Sequence, residues 1–406
     1  MPLYHIVFLL LLVGAIIEYR KTKVSRRAFI AVFCILTLML CLRYGQGTDF
    51  FAYEHIYNSV GNDLFLAWNN PTLHGEPGWL FVCWLFNIVG APYPVFTFSV
   101  SIAMMYLFWR FISRFCKRPM LAMLISYHTL YLTYFMSALR QGVVVAIFLG
   151  LLLELLEKRR YWSYYLISIA CMSIHSVAVT LLVIPLLDLK IFSQLKTILL
   201  LVVAAWALGF VISTGLLDGI LLKILPASIR YYISQRGISL FAILERLGTF
   251  SVILVFSYLT RKEEKSTEHL LFLLKILCLG MIFYGAFLWL PLVASRFCFV
   301  YKCVEIAVIS CLFTRKSALR RLLAMYCAAL ALVMYVKNIN SYISDGCYYE
   351  NVSVVNYPYV SIFDDQQIKE YRDIRLSRVE KNSYYANIDM VLEKQLSNSF
   401  YTNIIP

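Results

Sequence analysis

Apolar runs separated by short polar connections repeat along most of the chain. Many approach or exceed about 18 residues, the length a helix needs to cross the hydrocarbon core of a bilayer. The pattern predicts about 12 passages: 3–19, 28–42, 92–109, 119–137, 141–156, 162–175, 176–189, 197–213, 248–260, 269–290, 297–313 and 322–336. Segments 162–175 and 176–189 are short and form a tight pair that turns at His175. The apolar piece 78–90 breaks the alternation if counted as a crossing, which would make 13, so it is expected to be re-entrant or tilted. The fold class is therefore all-α, a polytopic membrane bundle. Its transmembrane domain spans 1–336, with polar loops at 43–78 and 214–248 and a polar tail at 337–406. The second loop is amphipathic in its middle, at Leu221–Leu225 and Ile229–Ile233. In the tail, Asp364 and Asp365 are expected to cap a helix through about residue 380. No internal repeat is visible.

Composition agrees. The 406 residues are 61% hydrophobic and 15% charged, with mean hydropathy +0.72, which leaves too little polar surface for a soluble domain. The net charge of +14 could suggest nucleic acid, but its placement argues for a membrane instead. More than half of the 37 lysines and arginines fall in six short clusters: 20–27, 110–118, 158–160, 190–196, 261–265 and 315–321. Such connections mark the cytoplasmic side. Both termini, both loops and the tail then face the periplasm. Met1 to Tyr19 has no basic residue ahead of its apolar run, so it is expected to be a retained helix rather than a cleaved signal. The 11 cysteines lie almost all in apolar segments and form no C-x-x-C pair, which supports neither zinc nor redox chemistry.

Basic residues on the non-cytoplasmic side run against the charge rule and are informative. Outside the tail they are Arg43, Arg140, Lys223, Arg230, Arg236, Arg246, Arg296 and Lys302. Arg43, Arg140, Arg246 and Arg296 sit where apolar runs meet the outer surface, at one level despite their separation in sequence. A ring of planar, permanently charged forks there suits a lipid-linked diphosphate, and they are expected to converge on one cavity. The alternative is snorkelling or pairing with carboxylates. In Arg43-Tyr44-Gly45-Gln46-Gly47-Thr48-Asp49, two glycines permit a tight turn that leaves Arg43, Asp49 and Tyr53 together. Glu76-Pro77-Gly78-Trp79 places a carboxylate just before an apolar segment. Asp49 and Glu76 are candidate general bases, or each pairs with an arginine or caps a helix. His175, at an outer turn, is a base or sugar contact, or a hydrogen-bonded core histidine. No G-x-S-x-G, phosphate loop or H-E-x-x-H occurs, and metal-dependent chemistry is not indicated.

The order R-Y-G-x-G-T-D-F-x-x-Y at 43–53, E-P-G-W at 76–79, L-R-Q at 139–141, I-H-S at 174–176 and N-Y-P-Y at 356–359 resembles the EpsG-type family, which is related to the Wzy O-antigen polymerases. The resemblance spans roughly residues 1 to 360. It implies a glycosyltransferase of the all-helical membrane class in a bacterial inner membrane, working without a cofactor or metal. Its substrates would be undecaprenyl-diphosphate-linked oligosaccharides. The growing glycan moves from its carrier to the non-reducing end of the next unit. Implied partners are membrane lipid and a chain-length regulator, a ligase or a flippase of the same pathway, with no nucleic acid. By motif, the resemblance carries over Arg43, Asp49, Tyr53, Glu76, Arg140, Gln141 and His175; Arg246 and Arg296 rest on topology. Asp49, Glu76 or His175 would take the acceptor proton, and the arginines would bind the diphosphate. Two rival classes remain. A flippase or exporter would spread cationic residues through mid-membrane depth, and a membrane O-acyltransferase would place a catalytic histidine by its acyl donor.

Overall fold

The computed structural model describes residues 2–21, 26–70, 73, 75–216, 237–260, 267–313, 320–345, 352–364 and 368. The amphipathic middle of 214–248, with Lys223, Arg230 and Arg236, lies outside them. So do the helix expected after Asp364 and most of the clusters at 261–265 and 315–321. Helices dominate, and no β-strand occurs among the described residues.

In chain order these are α1 (Leu3–Arg20), α2 (Arg26–Cys41), α3 (Phe50–Val60), α4 (Leu64–Asn69), α5 (Pro77–Asn87) and α6 (Tyr93–Phe115). α7 (Pro119–Ser126) opens into a π-helical stretch, Tyr127–Ser137. α8 (Leu139–Ile147) continues through a π turn, Phe148–Leu152, into α9 (Leu153–Glu157). α10 (Tyr161–Met172) meets a 3₁₀ segment, Ser176–Asp188, at His175. α11 (Leu195–Ser213), α12 (Leu240–Leu259), α13 (Thr267–Ala286), α14 (Pro291–Lys302), α15 (Glu305–Leu312) and α16 (Arg320–Asp345) follow. Prolines in the first turns of α5, α6, α7 and α14 cost nothing, because those N–H groups have no intrahelical acceptor.

Among the described residues, seven stretches are long and apolar enough to cross a membrane: α1, α6, α8 through α9, α11, α12, α13 and α16. The other predicted passages are shorter or interrupted: α2, Pro119–Ser137, α10, Ser176–Asp188 and α14 with α15. α5 has 11 residues, so it is about 16 Å long, half a bilayer core. Its first turn donates from Gly78 and Trp79 to Ser173 O, and near its end the Asn87 side chain donates to Tyr57 O of α3. It lies along α3.

The bundle has two chemically distinct ends. At the basic end, Arg118 donates to Glu18 O, Arg110 and Arg114 pair with Glu154, and Arg114 and His269 meet Glu157. Arg320 lies over the Tyr19 ring there. At the opposite end, the loop end, Tyr4 donates to Gln46, and Tyr44 N donates to Val360 O. Tyr357, fully buried, packs 5.1 Å from the Tyr4 ring. The segment around the N-Y-P-Y residues is thus built into the bundle. α16 also runs to Asp345, well past residue 336. Its polar residues Asn338 and Tyr342 donate to His128 O and Leu132 O of the π-helical stretch, so they are partnered inside the protein.

Candidate active site

The loop end holds all five sequence motifs, and four of them meet around Glu76 and Arg140. The turn at 43–49 seats on the end of the π-helical stretch. Gly47 has φ +92° and lies so close that an added Cβ would sit 2.4 Å from Met136 O. Thr48 N donates to Ser137 Oγ at 3.2 Å. This contact starts α3 beside Arg140, and the Arg140 guanidinium lies 5.6 Å from the Tyr53 ring centroid, within hydrogen-bonding reach of its hydroxyl. Asp49 is partly exposed at the start of α3 and accepts from Thr48 Oγ1 at 3.0 Å.

Gly78 makes the second close approach. A Cβ there would fall 2.1 Å from Ser173 Oγ. The docking of α5 on Ser173 holds Glu76 against the His175 turn. Glu76 Oε1 accepts from Ser176 N at 3.0 Å, and Oε2 pairs with Arg140. Burial works to raise the Glu76 carboxyl. The Ser176 N–H and Arg140 outweigh it and hold the group below the usual carboxylate range.

His175 caps its own turn, with Nδ1 accepting from Val177 N at 3.1 Å. Nδ1 is therefore unprotonated, and its 4.0 Å approach to Glu76 Oε1 is not an ion pair. Burial pushes the imidazole down to about 4, so at neutral pH the ring is uncharged with its proton on Nε2. That nitrogen lies 3.3 Å from the Gln141 amide group, whose oxygen accepts its proton once the amide is turned to face it.

The arginines do not gather at one place. Arg140 belongs to the Glu76 cluster. Arg296 is exposed, lies within electrostatic range of both His175 and Tyr134, and Arg246 also reaches Tyr134. Arg246 sits 4.3 Å over the Tyr284 ring and donates to Ser295 Oγ at 3.3 Å. Neither Arg246 nor Arg296 forms an ion pair with a carboxylate among the described residues. Arg43 lies apart. It is 2% exposed and donates to Leu40 O and to Ser101 Oγ at 3.1 Å, closing the end of α2 onto α6. The expectation of four arginines around one cavity fails for Arg43, because its fork is used on bundle groups.

Sequence reading underrated a second cluster. Glu245 pairs with Lys302, and Glu305 lies close by with Oε1 buried and unpartnered. His128, 1% exposed, has neither ring nitrogen bonded and lies within electrostatic range of Lys302 and Glu245. Lys302 was visible as a charge, but Glu245 and His128 were not singled out. The available signal was an ionisable residue flanked by apolar ones. Among the described residues, no three His, Cys, Asp or Glu side chains are placed to hold a metal ion.

A polytopic helical bundle with a charged, partly buried cluster at one end defines the class, a transmembrane protein. The EpsG family model matches residues 26–361, and the chain belongs to that family. Neither the curated proteins nor the solved structures gave a match.

Proposed function

We propose that this protein is a lipid-linked repeat-unit polymerase, a glycosyltransferase that works without metal. It joins undecaprenyl-diphosphate-linked oligosaccharides into O-antigen, capsule or exopolysaccharide chains at the periplasmic face of the inner membrane. The observation that carries this reading is the Glu76–Arg140 contact, through which E-P-G-W, L-R-Q and I-H-S meet beside the R-Y-G-x-G-T-D turn. In this picture the loop end is periplasmic. About 12 passages result when the five shorter or interrupted segments also cross.

The geometry favours a division of labour. Arg140 is already neutralised by Glu76, whereas Arg246 and Arg296 keep their charge. The latter two bind the diphosphate and stabilise it as leaving group. Glu76, Arg140, Tyr53, Gln141 and neutral His175 hold sugar hydroxyls. Asp49, partly exposed at the start of α3, takes the acceptor proton. The acceptor oxygen forms its bond to the anomeric carbon as the bond to the diphosphate breaks. Arg43 supports the scaffold.

A deletion strain tests the reading through its surface-glycan ladder. Loss of long chains with single capped repeats retained supports polymerisation. An unchanged ladder removes it, and loss of even single repeats favours a flippase or exporter.

A further inference from the structure

A cleft of about 530 Å³ opens at the basic end, far from Glu76 and Arg140. Its walls are the first turns of α11, the last turns of α12 and the first turns of α13. The basic-end position follows from His269, in the first turn of α13, which bonds Glu157. Leu199, Leu254, Leu270 and Leu274 line the interior, and Lys196, Gln194 and Tyr258 stand among the polar lining. No carboxylate lines it among the described residues. Lys196 is exposed, and no ion pair or hydrogen bond holds its ammonium among the described residues.

α11 and α12 are the least buried of the seven long helices, with 22% and 17% of their apolar windows inside the protein, against 39% or more for the others. The cleft therefore lies at the lipid-facing periphery. An apolar cleft left unfilled there forfeits dispersion contacts that hydrocarbon would supply. Its volume falls in the range of small-molecule sites, about 300–1,000 Å³. The Lys196 ammonium, unpaired among the described residues, stands at the end of this cleft where helices α11 to α13 begin or finish, and meets a membrane at headgroup depth.

We propose that this cleft binds one anionic glycerophospholipid of the adjacent leaflet, with an acyl chain among the leucines and the phosphate at Lys196. The site is independent of the polymerase reading, since it shares no residue with the loop-end cluster.

Purified full-length protein, titrated in detergent and read by native mass spectrometry, tests this with phosphatidylglycerol and phosphatidylcholine of identical acyl chains. Phosphatidylglycerol should bind about fivefold more tightly, the factor one lysine contributes at a headgroup. Lys196→Ala should abolish that preference and Lys196→Arg should keep it. Both replace an exposed side chain, so neither threatens folding. Leu271→Trp, which fills the cleft, should weaken both lipids. Equal binding of the two lipids by the unaltered protein, or a preference that survives Lys196→Ala, overturns the proposal. So does displacement of phosphatidylglycerol by equimolar undecaprenyl phosphate, which would assign the cleft to a polyprenyl tail.

Discussion

Glu76 and Arg140, 64 positions apart, form an ion pair that fastens the start of α5 to the start of α8. Both side chains are about one-fifth exposed, so water reaches the pair without dissolving it. The site is thereby held by helices distant in sequence, and its chemistry depends on how they pack.

Arg140→Lys should lower long-chain glycan synthesis about tenfold or more while the protein inserts normally. Lysine keeps the charge but loses the planar fork that serves Glu76 and Tyr53 together. The assay is the glycan ladder of a deletion strain complemented at matched expression. Near-normal long chains would show that the fork has no role.

Arg296→Gln and Arg43→Gln should fail differently. The first removes an exposed, unpaired charge and should cut polymerisation without moving the thermal unfolding midpoint. The second strips the donors from Leu40 O and Ser101 Oγ and should lower that midpoint. Equal midpoints for both variants would contradict the separate roles.

Lowering pH from about 6.5 towards 4.5 should loosen the loop end. His175 has a folded pKa depressed to about 4, against about 6.5 unfolded, so the unfolded state binds more protons across that window. Stability is fully present above the unfolded value and falls as pH drops towards the folded one. Glu76, also depressed, adds loss only below about 4.5. Unfolding midpoints at pH 7 and pH 5 should differ more for the unaltered protein than for His175→Asn; an identical difference would exclude His175 as the source.

Gly78→Ala should reduce activity although it touches no substrate. The new methyl would fall 2.8 Å from Ser173 O as well as 2.1 Å from its hydroxyl, so Ser173→Ala cannot restore the fit. Displacing α5 withdraws Glu76 from Ser176 and Arg140. Activity of the single variant equal to the parent would show that α5 docking is not needed.

Lys302→Met should cost more stability than Glu245→Gln. The lysine deletion removes the ion pair of Glu245, at 5% exposure, and leaves it facing the Glu305 carboxylate with Arg246 only within electrostatic range, a loss of about 3–5 kcal/mol. After Glu245→Gln, Lys302 still has Glu305 within electrostatic range. Denaturation of both variants in detergent settles the order, and the reverse order would refute the asymmetry.

Hydrophobicity and net charge are local properties, which is why the sequence alone gave the helical bundle and its principal passages. It also marked Arg118 and Lys158 as members of basic connections, and both lie at one end of the fold. The alternation of basic clusters sets 78–90 apart from the full passages, and the helix there has only 11 residues. The end of the last helix was not legible. Lys337, Asn338 and Tyr342 read as polar tail, yet Asn338 and Tyr342 find acceptors in the carbonyls of the π-helical stretch. The candidate chemistry was legible as residue types at the mouths of helices. Which partners they take was decided by packing. Close approach at Gly47 and Gly78 brings Glu76, Arg140 and His175 together, while the end of α2 turns Arg43 inward onto Leu40 and Ser101. Charge and hydropathy identify which residues must be satisfied, but only the relative position of helices determines by what.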